Sequence, residues 1–283
     1  MNHRAHQLVS SAALLVLGAT LIAGCRAKAT DTGSGEAIDS DTQALASDGV
    51  DEATSRAQAT HLGNLVFAAV MSPDPDKASG EVAGGPSQLW PAGCLTRTKD
   101  ATNPRVVHLT FDHCTGPFGL VKVTGEEVVT FDKAADGKLV ASFASVNLKA
   151  NGKPLTHSAT AEITVAGDER TVDWQGAWTR VNGKGLTVAH TSDLTIKVDR
   201  ATRCRVENGT AKTTVGDREV DTTIEDVKLC PNAAGQEGCP SGTVTHTAKK
   251  SGKVVTIEFD GSDQATITGP KGNAFEAQLV CTP

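Results

Sequence analysis

The chain has 283 residues, with 27 Lys and Arg against 33 Asp and Glu and a formal net charge of −6. A mildly acidic balance without clustered Lys and Arg excludes an electrostatic footprint for nucleic acid, and equally the binding of anionic lipid head groups by charge. Aromatic residues make up only 4% and Tyr is absent, which argues against the aromatic girdles of a membrane-spanning β-barrel.

The chain opens with a short polar segment (Asn2, His3, Arg4, His6), followed by an apolar run from Leu14 to Ala23 broken only by Gly18 and Thr20. The run ends Leu21-Ile22-Ala23-Gly24-Cys25. This is the layout of a cleaved export signal, and the apolar run is too short to span a bilayer, which takes about 20 residues. Ile22-Ala23-Gly24-Cys25 resembles the lipobox of bacterial lipoproteins. The resemblance implies that residues 1–24 are a signal peptide and that Cys25 becomes the first residue of the mature chain and carries the acyl chains. Lipidation contributes about 0.8 kcal/mol per buried CH2, so more than one chain gives stable anchoring. Arg26 stands where an aspartate would resemble an inner-membrane retention signal, which favours the outer membrane.

Residues 25–50 hold Gly33, Ser34, Gly35, Ser40, Ser47 and several acids but no apolar cluster, a composition expected of a flexible tether. From Asp51 to Met71, Leu62, Leu65, Val66, Ala69 and Val70 follow the spacing of one helical face. Asp51 is a suitable N-cap, and Ser72-Pro73 ends the helix because proline biases its predecessor away from the helical region. Residues 72–93, with Pro73, Pro75, Gly80, Gly84, Gly85 and Pro86, read as a loop. Residues 51–93 are thus one helix followed by a loop.

From Arg105 onward the period is two, and residues 94–283 are read as one disulfide-bonded β domain. Val107, Leu109 and Phe111 alternate with polar residues, as do Val172, Trp174 and Trp178. The longest run is Leu186, Val188, His190, Ser192, Leu194, Ile196 and Val198, and Val255, Ile257 and Phe259 repeat the pattern. Such alternation marks strands with one buried and one wet face. Asp136-Gly137, Asn151-Gly152, Asn182-Gly183, Asn208-Gly209, Gly216-Asp217 and Asp260-Gly261 supply hairpin turns. The expected fold is all-β: a large antiparallel meander on the order of a dozen strands, closed as a curved sheet, a sandwich or a soluble barrel, with one N-terminal helix. Cys204-x4-Gly209-Thr210 and Cys239-x2-Gly242-Thr243 hint at a repeated strand unit.

Seven cysteines less Cys25 leave Cys94, Cys114, Cys204, Cys230, Cys239 and Cys281. An even number in an exported chain reads as a disulfide framework, and no C-x2-C pair offers the spacing of a metal site. Cys94 and Cys114 flank one strand and are expected to pair, closing a loop worth about 3 kcal/mol through the unfolded state. Cys204–Cys230 with Cys239–Cys281 is preferred for the rest, and Cys230–Cys239 with Cys204–Cys281 is the alternative.

No catalytic residue, metal or cofactor site emerges. His108 and His113 are five apart on one strand and face opposite ways. His157, His190 and His246 are isolated in sequence, and His190 has the parity of a satisfied core histidine. Ser87 and Ser241 sit beside prolines in loops rather than on a nucleophile elbow. Asp132 to Asp136 and Asp260 to Asp263 read as Asx turns rather than calcium sites. Glu126-Glu127 and Asp217 to Asp226 are carboxylates spread along strands. Trp90, Trp174 and Trp178 could line a ligand site, but Trp174 and Trp178 share a face and fit a core.

Cys239-Pro240-Ser241-Gly242-Thr243-Val244, Val254-Val255-Thr256-Ile257-Glu258-Phe259-Asp260-Gly261 and Leu279-Val280-Cys281 resemble, in texture, the Thr/Val-rich, disulfide-bonded lipoproteins of bacteria that carry no assigned activity. The expectation is a non-enzymatic envelope lipoprotein, held to the membrane through acylated Cys25 and acting as a binding or structural module. The alternative is a carrier of acyl chains or lipoproteins in which the helix lids a concave sheet, and the third reading is an envelope hydrolase.

Overall fold

The computed structural model describes residues 28–29, 63, 65–85, 91–115, 122–182, 184–231 and 238–279. In chain order the strands are β1 (Lys28–Ala29), β2 (Leu95–Lys99), β3 (Val106–Thr115), β4 (Lys122–Lys133), β5 (Leu139–Ala150), β6 (Lys153–Ala166), β7 (Glu169–Val181) and β8 (Thr187–Asp199). They continue as β9 (Cys204–Val215), β10 (Arg218–Leu229), β11 (Ser241–Ala248), β12 (Val254–Asp260), β13 (Gln264–Thr268) and β14 (Ala274–Gln278), and one helix, α1 (Pro75–Gly84), precedes β2.

All strands join one 14-stranded antiparallel sheet whose spatial order follows the sequence from β2 to β14. Its ends, β2 and β1, do not meet, so of the three closures expected the chain adopts the open curved sheet. Period-two patterning decides the faces. Along β6 and β8 every second residue from Leu155 to Ile163 and from Val188 to Ile196 is buried. The buried side chains form a continuous core that runs from Val107 on β3 to Ala277 on β14.

Turn chemistry accounts for the hairpins, with one correction. Asn151 and Gly152, both at positive φ (51° and 78°), join β5 to β6 as a two-residue turn of the primed kind requires. Asn208-Gly209, also expected to be a turn, lies inside β9. Gly209 has φ 141°, and a Cβ there would collide with the carbonyl of Asp193 on β8. The glycine serves a close approach of two backbones rather than a change of direction. Gly242 repeats the arrangement at φ 112° against the carbonyl of Asp226, beside the register shift between Glu225 and Lys228.

A second correction concerns residues 72–93, expected to be a loop. Pro75–Gly84 is a helix whose N-cap, Asp74, accepts hydrogen bonds from the Asp76 and Lys77 amides at 3.0 Å each. Proline at the first helical position marks a start rather than a break, because its missing N–H would have had no partner there. Ala78 and Val82 bury one face, and the Ser79 hydroxyl donates to the Pro104 carbonyl at 2.6 Å, fixing α1 over β2–β4. Of the helix expected from Asp51 to Met71, residues 63 and 65–67 are helical and 68–69 form a turn; residues 51–62 lie outside the described residues. Glu81 of α1 accepts hydrogen bonds from the Met71 and Ser72 amides at 2.6 and 3.1 Å, joining the two helical pieces. Within the expected tether, Lys28 and Ala29 pair with Gln278 and Ala277 of β14.

Cys94–Cys114 and Cys204–Cys230 are bonded, with Cα atoms 5.2 and 4.1 Å apart, which excludes the alternative pairing. Cys239 is disulfide-bonded as well; Cys281, the partner expected for it, lies outside the described residues, as does Cys25. The first bond ties β3 to the turn preceding edge strand β2. Cys94→Ser should therefore lower stability by about 2–5 kcal/mol and leave Cys114 open to thiol labelling under denaturing, non-reducing conditions, where the wild-type pair does not label.

Candidate functional site

The inner face of the sheet carries a polar row inside its apolar core. On β4 the register shift between Thr124 and Glu126 is followed by inward positions Glu127, Val129 and Phe131. On β6 the same face carries His157, and on β7 Trp174 and Trp178. His157 pairs in register with Trp178, Trp178 with His190, and His190 with Thr213. The side chains of Glu127 and His157 are 0% exposed, and the Glu127 Oε1 to His157 Nδ1 distance is 2.6 Å. The His157 amide donates to the Ser145 hydroxyl at 2.8 Å.

The His157 ring stacks on Trp178 with centroids 4.2 Å apart and lies 5.9 Å from Trp174. Phe143 and Phe67 complete the enclosure, with Phe67 meeting Trp174 edge-on at 5.7 Å. Arg170, 1% exposed, donates from Nε to the Val70 carbonyl at 2.8 Å, holding the end of the helical segment onto the sheet. Glu127 Oε2, His157 Nε2 and Trp178 Nε1 are buried without a hydrogen-bond partner among the described residues. Further along the face, His190 Nδ1 is 2.9 Å from Thr213 Oγ1, and His246 Nδ1 is 2.9 Å from Thr222 Oγ1.

Burial pushes the Glu127 carboxyl above its ordinary range, opposed by the hydrogen bond and charge of His157. The two groups form an acid–base pair able to share one proton, in which a second proton, or the loss of the first, leaves an uncompensated charge in the core. Two other histidines are at the surface. His108 stands between Glu126, at 2.5 Å, and Asp100, at 3.2 Å, and the hydrogen bond to Glu126 holds its pKa above the usual imidazole value. His113, at positive φ where β3 shifts register, has its ring Nδ1 2.6 Å from the exposed Asp112 carboxylate. The two are not brought together.

Other positions singled out from sequence fall as follows. Trp174 and Trp178 are core residues, as is His190, and Trp90 lies outside the described residues. Asp136 and Asp260 close turns by accepting from the Lys138 and Ser262 amides at 3.2 and 2.9 Å. Among the described residues no group of three His, Cys, Asp or Glu side chains could hold a metal ion. What sequence reasoning missed is the partnership of Glu127 with His157. Its available signal was parity: Glu127 shares the parity of Val129 and Phe131, and His157 that of Ala159 and Ala161. Matching them needed the register across two shifted strand pairs.

The outer face carries a second feature, a trough of about 930 Å³ that crosses β5 to β10. One wall is the in-register row Ser142, Thr160, Gln175, Asp193, Thr210 and Thr223; the other is Ser158, Ala177, Thr191, Lys212 and Asp221. Small inward residues, among them Ala159, Gly176 and Ala211, lie between the two rows.

The interior pair makes a stability prediction. His157→Leu strands the Glu127 carboxyl and should cost about 3–5 kcal/mol, whereas Glu127→Met with His157→Leu should cost less than the sum of the single changes. Because the folded-state pKa of Glu127 is raised, the folded chain binds the proton more tightly than the unfolded chain. This contribution is present below the ordinary carboxylate range and is lost as pH rises through the raised value. Urea unfolding across that interval should show a falling wild-type stability and a flatter profile for Glu127→Gln.

No protein-family model, no curated protein and no solved structure matches the chain.

Proposed function

We propose that the chain is a lipid-anchored lipoprotein of the bacterial cell envelope, non-enzymatic, whose β domain acts as a binding or structural module. The observation that carries this reading is the state of the cysteines. Cys94, Cys114, Cys204, Cys230 and Cys239 are all oxidised, a state that belongs to exported proteins, and the export signal read from sequence ends at Cys25, the cysteine left over when the other six are paired as expected. Acylation of Cys25 gives that residue a use and removes a reactive thiol from the mature chain. Arg26, in place of an aspartate, favours placement in the outer membrane.

The carrier reading draws support from a specific arrangement, the segment 65–70 lying over the inner face with Phe67 against Phe143 and Trp174. A carrier needs an apolar cavity of about 300–1,000 Å³. At the aromatic cluster Phe67, Phe143 and Trp174 are instead in edge contact with one another, with centroids 6.3, 5.7 and 5.3 Å apart. The binding-module reading is therefore preferred. Native mass spectrometry of the purified protein separates the two: co-purified lipid favours the carrier, and a clean apo mass favours the module.

The anchor is tested by fractionation. Wild-type protein should sediment with membranes and incorporate labelled palmitate, and Cys25→Ala should shift to the soluble fraction without label. An unchanged membrane pool in the variant would remove the anchor.

A further inference from the structure

The outer-face trough has no role in folding that the core does not already fill. Its rungs come from neighbouring strands, so polar groups recur along it at the strand separation of about 4.8 Å. Thr160, Gln175, Asp193 and Thr210 occupy successive in-register positions, and their side chains make no hydrogen bond or ion pair among the described residues. Lys212, on the opposite wall, is held by Glu219 at 2.9 Å. We propose that this trough binds an extended, uncharged, polyhydroxylated chain: a β-linked glycan lying across the strands.

The chemistry of the walls selects this class over others. Asp193 and Asp221 repel phosphates and anionic head groups, which would need clustered Lys and Arg. Walls of hydroxyl, carboxamide, carboxylate and ammonium groups, with only small apolar residues such as Ala159, Ala177 and Ala211 among them, do not make the continuous apolar lining that an acyl chain requires. A polypeptide advances about 3.3 Å per residue, so its groups would fall out of step with the rungs. A β-linked pyranose chain repeats close to the strand separation and carries donors and acceptors on every unit. Carboxylates accept from paired sugar hydroxyls, and hydrogen bonds to charged groups are the stronger ones. Phe143, the aromatic residue in the lining, is buried with its ring against Phe67 and Trp174 on the inner face, so affinity rests on repetition along the chain and short oligosaccharides bind weakly.

This inference rests on the reading of the domain as a binding module but not on the lipid anchor, so fractionation of Cys25→Ala and glycan binding fail independently. The test is co-sedimentation of the full chain, purified in detergent, with insoluble chitin, cellulose and murein sacculi at rising salt; the three matrices tell a cell-wall glycan from other β-linked chains. Wild type should pellet with at least one, and binding should survive high salt. Asp193→Lys and Thr210→Lys, exposed changes that fill the trough, should each weaken binding about tenfold or more. Thr164→Lys, on the same face but outside the trough, should bind as wild type does. The inference is overturned if wild type stays in the supernatant with all three glycans, or if the trough variants pellet as well as wild type. It is equally overturned if binding disappears with salt, or if the chain binds anionic vesicles in preference to every glycan.

Discussion

An open antiparallel sheet with one apolar face cannot stand alone in water, and the rest of this structure follows from how that face is covered. Barrels and sandwiches cover the face with the sheet itself. Here β1 and β2 end the sheet without meeting, so other parts of the chain must do it. Over β5 to β7 the cover is the segment that ends at Val70: Phe67 enters between Phe143 and Trp174, and Arg170 binds the Val70 carbonyl. Over β2 to β4 it is α1, with Ser79 on the Pro104 carbonyl and Ala78 and Val82 buried. The aromatic residues are scarce and concentrated where the cover meets the sheet, because large rings bury the most area per residue at low entropic cost.

The same constraint explains the edges. A sheet of this length exposes two terminal strands, each a template for unwanted pairing. At one end β2 is short, bears Arg97 and Lys99, lies against α1 and is tied through Cys94 to Cys114 on β3. At the other, Lys28 and Ala29 pair with β14. The two disulfides shown both join ends of strands, where fraying would begin, and leave the middle of the sheet to backbone hydrogen bonds and packing.

Most of the architecture was readable from the sequence because parity is a local property. Val172, Trp174 and Trp178, or Leu194 and Ile196, declare their face without knowledge of any partner, and the Asn151-Gly152 turn declares the reversal between β5 and β6. The errors lie where one residue type serves two geometries. Pro75 marks a helix start as well as a loop, and Asp74 ahead of it was the signal that decides between them. Gly209 provides positive φ in a turn and equally a close backbone approach within a strand. The Glu127–His157 pair was hidden for a different reason: it depends on register across strands whose pairing shifts at Glu126 and after Ala144, and no periodicity within one strand carries that information. The outer-face rows need that register too, so their continuity across six strands emerges only from the fold.

The account turns on the claim that the segment ending at Val70 is a structural cover for the inner face rather than an appendage. Phe67→Ala removes the ring that closes the aromatic cluster while leaving every strand residue in place, and the most direct measurement is native-state amide hydrogen exchange on this variant beside wild type. The account predicts a loss of about 3–5 kcal/mol of stability, with protection falling first at residues 65–70 and at the facing amides of β5 to β7, and with new binding of a hydrophobic dye. Exchange rates in β5 to β7 equal to wild type, with unchanged stability, would contradict it.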